Sequence, residues 1–229
     1  MPPKKLLCII PISTTGITQS LAAIYTSTTQ VQLDFIDGSG LTTCPPCIEN
    51  HEQAVVSSVA MLPRVADFLA THKFDGILIC CFSDHPLVYA LRRQTSTPVT
   101  GIFQAALMMA VPTTKTANGR FGIVTTTAAW ELVLQESVQE LGYGAYCVGV
   151  RATRLGVLDL ESLPESHVVE VFRRSAQELV DAGATRIILG CAGMVSLRKG
   201  IEAVLPPRVR VIDGVDAGIT LLARGLTDN

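Results

Sequence analysis

Two of the seven cysteines in this 229-residue chain stand where a thiol could do chemistry. Cys81 closes the stretch Ile77-Leu78-Ile79-Cys80-Cys81-Phe82-Ser83, and Cys191 sits in Ile187-Ile188-Leu189-Gly190-Cys191-Ala192-Gly193. Each is a short apolar run that opens into small or polar residues, the pattern of a fully buried parallel strand. The position just past the carboxyl end of such a strand is where open α/β sheets place their ligands. A thiol there, ahead of a helix amino terminus, is expected to have a lowered pKa. Two thiols approaching one ligand from opposite sides suit stereoinversion at carbon: one thiolate removes a proton and the opposite thiol returns one. Gly193 would leave backbone N–H groups free for an oxygen. Ala192, Ser83, Thr125 and Thr126 join it in holding a developing enolate. Pro11, Ser13, Thr14 and Phe82 complete the expected substrate-binding set.

Free cysteine is among the most buried residue types, so most of the seven are expected in the core. Cys8 and Cys147 lie inside predicted strands and are read as packing residues. What singles out Cys81 and Cys191 is an internal repeat. They are 110 residues apart, as are Gly76 and Arg186. The Ser13-Thr14-Thr15 and Thr125-Thr126-Thr127 segments are 112 apart, as are the segments beginning at Pro98 and Arg210. Four landmarks in one order at nearly one offset point to duplication. Cys80 is then the counterpart of Gly190, on the opposite side of its strand from Cys81, and is read as structural.

Other candidates carry less. Cys44-Pro45-Pro46-Cys47 has redox-pair or half-zinc-site spacing, but no second Cys or His pair accompanies it, so no metal is expected. The alternative is a loop near the mouth of the site. His85, four residues after Cys81, could favour the thiolate, or could be a surface histidine in a helix's first turn. Gly38-Ser39-Gly40 is too little for a phosphate loop.

The elements needed to position the thiols follow from the alternation of strand and helix patterns along the chain, which implies βαβ units and a parallel sheet. Strands are predicted at Leu6 to Pro11, Val31 to Ile36, Gly76 to Cys81, Pro98 to Phe103, Arg120 to Thr125, Ala145 to Val150, around Ile187, and Val209 to Ile212. Helices intervene, with Thr14 or Thr15 capping the first and Pro63 expected to kink or divide the one from Ile48 to His72. The predicted class is α/β: two similar lobes, 1–112 completed by 213–229, and 113–212. Pro112 to Gly119 is the linker, and the site lies in the cleft between the lobes.

A hydrophobic fraction of 48% fits a well-buried globular protein. A charged fraction of 17% falls below the roughly 25% usual for soluble domains, which points to a homo-oligomer or to buried strands. A formal net charge of −2 gives no reason to expect nucleic acid or membrane as partner. The apolar run after Lys4-Lys5 ends at Pro11, too short for a signal peptide, and no stretch reads as a membrane span. The expected residence is cytoplasmic, with reduced thiols.

With these residues in view, the chain resembles the Asp/Glu racemase superfamily, in its hydantoin or allantoin racemase-like branch, over nearly its whole length. Cys81-Phe82-Ser83-Asp84 is similar to the first cysteine motif, and Leu189-Gly190-Cys191-Ala192-Gly193-Met194 to the second. Pro45, Ile48 and Glu49, the Val124-Thr125-Thr126 strand end, and Pro98-Val99 with Gly101-Ile102 also match. The resemblance implies cofactor-independent racemisation of a small molecule by Cys81 and Cys191 in a two-lobe, usually oligomeric fold. The chain departs from the pattern at Ile10-Pro11-Ile12, at Ser83-Asp84-His85-Pro86, at Cys47 where serine is common, and at Gln104 where an acidic residue is common. A decarboxylase, isomerase or lyase on the same scaffold, or a non-catalytic binding protein, are the alternatives.

Overall fold

A computed structural model describes residues 2–111 and 119–226. The predicted linker falls almost wholly outside the described residues. The chain divides into two compact units, Met1–Ala105 with Val215–Asn229, and Ala106–Gly214.

The first unit carries a four-stranded parallel sheet of order β2-β1-β3-β4. Along the chain run β1 (Lys4–Ile10), α1 (Gly16–Ile24), β2 (Val31–Asp37), α2 (His51–Thr71), β3 (Gly76–Ile79), α3 (Pro86–Arg92), β4 (Val99–Gly101) and α4 (Ile102–Ala110), which from Ala106 onward is counted with the second unit. Leu6 to Ile10 and Ile77 to Ile79 are buried throughout, as central parallel strands with both faces covered must be. Met61 and Val65 of α2, and Leu87, Val88 and Leu91 of α3, pack with them. The helices flank the sheet because an amphipathic helix must bury its apolar stripe against something.

α2 continues as one helix through Pro63, so the expected division does not occur. The bond that Pro63 cannot donate is lost at the carbonyl of Val59, a residue 70% exposed, where water can take its place. α2 is also long and apolar enough to cross a membrane by length and composition alone. Within the unit it is a flanking helix that buries Ala54, Ser57, Ser58, Met61 and Val65.

The second unit repeats the plan with order β6-β5-β7-β8. Its elements are β5 (Phe121–Thr125), α5 (Ala129–Glu140), β6 (Cys147–Ala152), α6 (Asp159–Ser162), α7 (Glu165–Asp181), β7 (Arg186–Leu189), α8 (Arg198–Val204), β8 (Arg210–Ile212) and α9 (Gly214–Ala223). From Val215 onward, α9 is counted with the first unit. There Gly218 lies against Leu78 so closely that a Cβ would come within 2.3 Å of its Cδ1. The connection after β6 contains the single turn α6, which starts where the Asp159 carboxylate accepts from the Gly156 N–H at 2.7 Å.

The two sheets confirm the duplication and correct one alignment within it. Leu6 pairs with Gly76, and Phe121 with Arg186. With Gly76 matching Arg186, Leu6 matches Phe121, so Pro11 corresponds to Thr126; the sequence alignment had set Ser13 against Thr125. The slip is three residues in a stretch of β-branched and hydroxyl side chains that offers several equally good matches.

Candidate active site

In a sheet of order 2-1-3-4 the connections from the two central strands leave in opposite directions, opening a crevice at their carboxyl ends. In the first unit those strands are β1 and β3. Ile9 pairs with Ile79, and two residues beyond this pair stand Pro11 and Cys81. In the second unit Val124 pairs with Leu189, and two residues beyond stand Thr126 and Cys191. The strands end alike: the Cys80 N–H donates to Ile9 O, and the Gly190 N–H to Val124 O, both at 2.8 Å. Within each sheet, then, a cysteine sits beside the end of the neighbouring central strand at an equivalent place.

Around Cys81 the chain is tightly folded. The Ser83 N–H donates to Cys81 O at 3.0 Å, and the Ser83 hydroxyl lies 3.5 Å from the Cys81 sulfur. Cys81 is half-buried, Ser83 and Phe82 are buried, and Phe82 meets Phe103 edge-on at 5.3 Å. The loop after β1 is held from the other side. Pro11 O accepts from the Ser57 hydroxyl and, at 3.7 Å, from the Cys44 thiol. The Ser13 N–H donates to Pro45 O at 2.9 Å and the Thr14 hydroxyl to Pro46 O at 2.7 Å. Thr15, not Thr14, stands at the N-cap of α1, and its side chain makes no cap bond.

His85 is neither of the things expected from sequence. It is fully buried and caps α3, its Nδ1 accepting from the Leu87 N–H at 3.2 Å. Burial first, and His51 second, push its pKa down to about 3. It is therefore neutral, with its proton on Nε2, and brings no positive charge to Cys81. The Cys44–Cys47 pair also lacks the character of a redox pair. Burial, reinforced by Asp37, lifts Cys44 to about 11, and burial with Glu49 raises Cys47, whereas redox cysteines need a stabilised thiolate. Cys44 serves to hold the Pro11 carbonyl. Among the described residues no group of three or more His, Cys, Asp or Glu could hold a metal ion.

Around Cys191 the setting differs. Gly190 leaves no room for a side chain, since a Cβ would come within 2.4 Å of Val124 O. Cys191 is extended and leads into a 3-10 turn, Ala192–Leu197, that precedes α8, so the α-helix expected directly after it is displaced. Cys191 keeps some exposed surface, yet burial of its thiol lifts the pKa to about 11. N–H groups of Gly193 and Met194 directed at the sulfur oppose that shift, and Glu161 on α6 adds to it. The lowered pKa read from sequence is thus reversed: desolvation outweighs two backbone donors. The Gly193 N–H is turned toward the sulfur rather than left open.

Ala192 and Gly193 are both buried in the 3-10 turn. Thr125 donates its hydroxyl to Gly190 O at 3.3 Å, and Thr126 O accepts from the Arg154 N–H at 2.8 Å. The structure thus gathers Pro11, Ser13, Thr14, Cys81, Phe82, Ser83 and His85 at one sheet edge, and Thr125, Thr126, Cys191, Ala192 and Gly193 at the other. It turns several of their polar groups to internal bonds. Sequence reasoning did not single out Glu161, because α6 is a single turn, too short to show a helical period.

Two four-stranded parallel sheets of one strand order, each with a cysteine past a central strand, make this a two-lobed α/β protein. The chain belongs to the Asp/Glu/Hydantoin racemase family, whose model matches residues 6–222. It is accordingly an isomerase of the racemase type. An uncharacterised protein of Schizosaccharomyces pombe is 32% identical over 96% of this chain and 90% of its own length. A hydantoin racemase of Rhizobium meliloti is 32% identical over 81% of this chain and 74% of its own. Among solved structures, an allantoin racemase from Klebsiella pneumoniae superimposes with a TM-score of 0.82 at 28% identity, over 99% of this chain and 90% of that one.

Proposed function

We propose that the chain racemises a carbon acid next to a carbonyl, a 5-substituted hydantoin or an allantoin-like ureide, with Cys81 and Cys191 as its two acid–base groups and no cofactor. The observation that carries this reading is the equivalence of the two thiols, each two residues beyond a register pair of central strands. The names of the Rhizobium and Klebsiella relatives favour the substrate class.

In one direction the Cys191 thiolate takes the proton from the reacting carbon, and the C–H electron pair passes into the enolate. The Cys81 thiol then gives its proton to the opposite face of that carbon. One C–H bond breaks and one forms, Cys191 ends as thiol and Cys81 as thiolate, and the reverse turnover restores both. A base whose pKa burial has lifted to about 11 is well matched to a weakly acidic C–H, at the cost of a small thiolate population near neutral pH. The Ser83 hydroxyl, 3.5 Å from the Cys81 sulfur, can donate to the thiolate left there.

A homo-oligomer and a cytoplasmic residence belong to the same reading. The first is supported by Val55, Val56 and Val59 exposed on the outer face of α2, the second by seven free cysteines. Polarimetry on single-enantiomer hydantoins, allantoin and amino acids, with nothing added but buffer, tests the reading. Loss of rotation to zero with a hydantoin or allantoin is expected. Activity only after addition of pyridoxal phosphate, a nicotinamide or a metal contradicts it.

A further inference from the structure

Asp84 follows directly on Ser83, so its Cα lies about 3.8 Å from that of the residue whose hydroxyl touches the Cys81 sulfur. Its carboxylate is held by one oxygen alone. The Gln104 amide donates to Oδ1 at 2.6 Å and the Tyr89 hydroxyl donates to the same oxygen at 2.7 Å. No described residue donates to Oδ2, and Asp84 is only half-buried.

The holding groups are themselves committed. Gln104 is buried, and its Oε1 has no partner among the described residues. That settles which way the amide faces: turned over, its oxygen would meet the carboxylate at 2.6 Å with no proton between them. Gly101 makes this placement possible, for a Cβ there would come within 2.4 Å of Oε1. Burial, and then the bond to Asp84, push the Tyr89 hydroxyl up to about 12, so Tyr89 is a donor across the neutral range. An orphaned buried acceptor is unfavourable, and here it accompanies the fixing of a neighbouring carboxylate. A carboxylate with one oxygen pinned and the other open is an acceptor of fixed direction, three residues along the chain from Cys81.

We propose that Asp84 is a substrate-binding residue whose open Oδ2 accepts the N–H adjacent to the carbon that is inverted, selecting a neutral ureide, with Gln104 and Tyr89 as its positioning residues. This rests on the proposed racemisation. It also gives a physical sense to Gln104. A carboxylic acid at that position would have to share a proton with Asp84 at the same distance, and the charge available to the substrate would become pH-dependent.

The test compares 5-methylhydantoin with 1,5-dimethylhydantoin, which lacks the N–H beside the reacting carbon, in the wild type and in Asp84→Asn. KM is taken from polarimetry, and affinity for the same two compounds from calorimetry. In the wild type, N1-methylation should weaken binding and raise KM by about 10- to 100-fold, the worth of a hydrogen bond to a charged group. Asp84→Asn should lose a similar factor toward 5-methylhydantoin and no longer tell the two compounds apart, while Tyr89→Phe loses less. Gln104→Glu should make KM rise toward acid pH, which a purely structural Gln104 would not do. Equal binding of both compounds by the wild type overturns the proposal, and that arm needs no variant to fold. Losses from N1-methylation and from Asp84→Asn that simply add also overturn it. If neither compound is racemised but calorimetry shows the expected pattern, the proposed reaction falls and the role of Asp84 stands. If the wild type binds neither, the role of Asp84 falls.

Discussion

At the β1–β3 edge the Cys81 sulfur faces a serine hydroxyl. At the β5–β7 edge the Cys191 sulfur faces two backbone N–H groups, with the Glu161 carboxylate acting against the thiolate. The ladder positions that carry the two thiols are the same, and the groups that answer them are not. Counterparts diverge in the same way one residue earlier and four residues later. Cys80 occupies a position where Gly190 admits no side chain, and buried neutral His85 corresponds to buried Val195. Duplication supplies a scaffold that puts two thiols at equivalent places. What each thiol does there is set by loops that share almost nothing.

The comparison breaks most visibly if either thiol is dispensable. Cys81→Ala and Cys191→Ala should each lower racemase kcat/KM by at least ~10³-fold, since an acid–base group supplies about 10²–10⁴-fold and here both are needed. Thermal melting should stay close to wild type. A single variant that keeps more than a tenth of the activity removes one edge from the mechanism.

A second prediction uses the Cys191 environment. With its thiol lifted to about 11 in the free enzyme, the thiolate population rises across the whole neutral and alkaline range. kcat/KM for the enantiomer that Cys191 deprotonates should therefore climb about tenfold per pH unit from 7 to 9. Initial rates for the two enantiomers, measured separately against pH, check this. A plateau below pH 8 for both enantiomers contradicts it.

The contrast between Cys80 and Gly190 is sharpened by giving both positions alanine. Gly190→Ala forces a Cβ against Val124 O and the Thr125 backbone, neither of which is a flexible side-chain end. It should destabilise the protein by about 2–3 kcal/mol, within the usual range for overpacking. Cys80→Ala should cost only about 1 kcal/mol and leave activity in place. Urea unfolding of the pair decides, and equal losses would mean that the two strand ends are packed alike.

The His85–Val195 difference gives a smaller, pH-dependent effect. Folded His85 has its pKa near 3 against an ordinary 6.5, so between those values the unfolded chain binds the extra proton. Its contribution to stability is complete above about pH 6.5 and is lost as pH falls toward 3. From pH 7 to pH 4 the wild type should lose about 2–3 kcal/mol through this group, and His85→Gln should escape that part of the loss. Parallel pH dependence in both proteins would contradict the buried, neutral histidine.

The strand–helix order, the repeat and the two thiol positions were legible in the sequence, because buried parallel strands read as apolar runs that stop at a breaker. Less legible was anything that depends on what covers a residue. His85 follows a cysteine motif and precedes a proline in either environment, and only its burial in the folded chain makes it neutral. A strand-end cysteine before a helix suggests an acidic thiol, yet burial decides the matter at Cys191. The three-residue slip between Ser13 and Pro11 as counterparts of Thr125 and Thr126 arose because hydroxyl-rich ends look alike until ladder bonds fix the register. Asp84 and Gln104 were visible as residues, and their bond, spanning 20 positions, was not.

The central claim, that the two thiols serve opposite faces of one carbon, is tested most directly by hydrogen exchange in deuterated water. The wild type should wash deuterium into both enantiomers of its hydantoin. In Cys81→Ser or Cys191→Ser the new hydroxyl is too weak an acid to act as a base near neutral pH, while the remaining thiolate still removes and returns a proton on its own face. Each variant should therefore exchange the reacting hydrogen of one enantiomer without inverting it, and the two variants should choose opposite enantiomers. If both variants exchange the same enantiomer, or one loses all exchange while the other keeps it, the thiols do not divide the two faces between them.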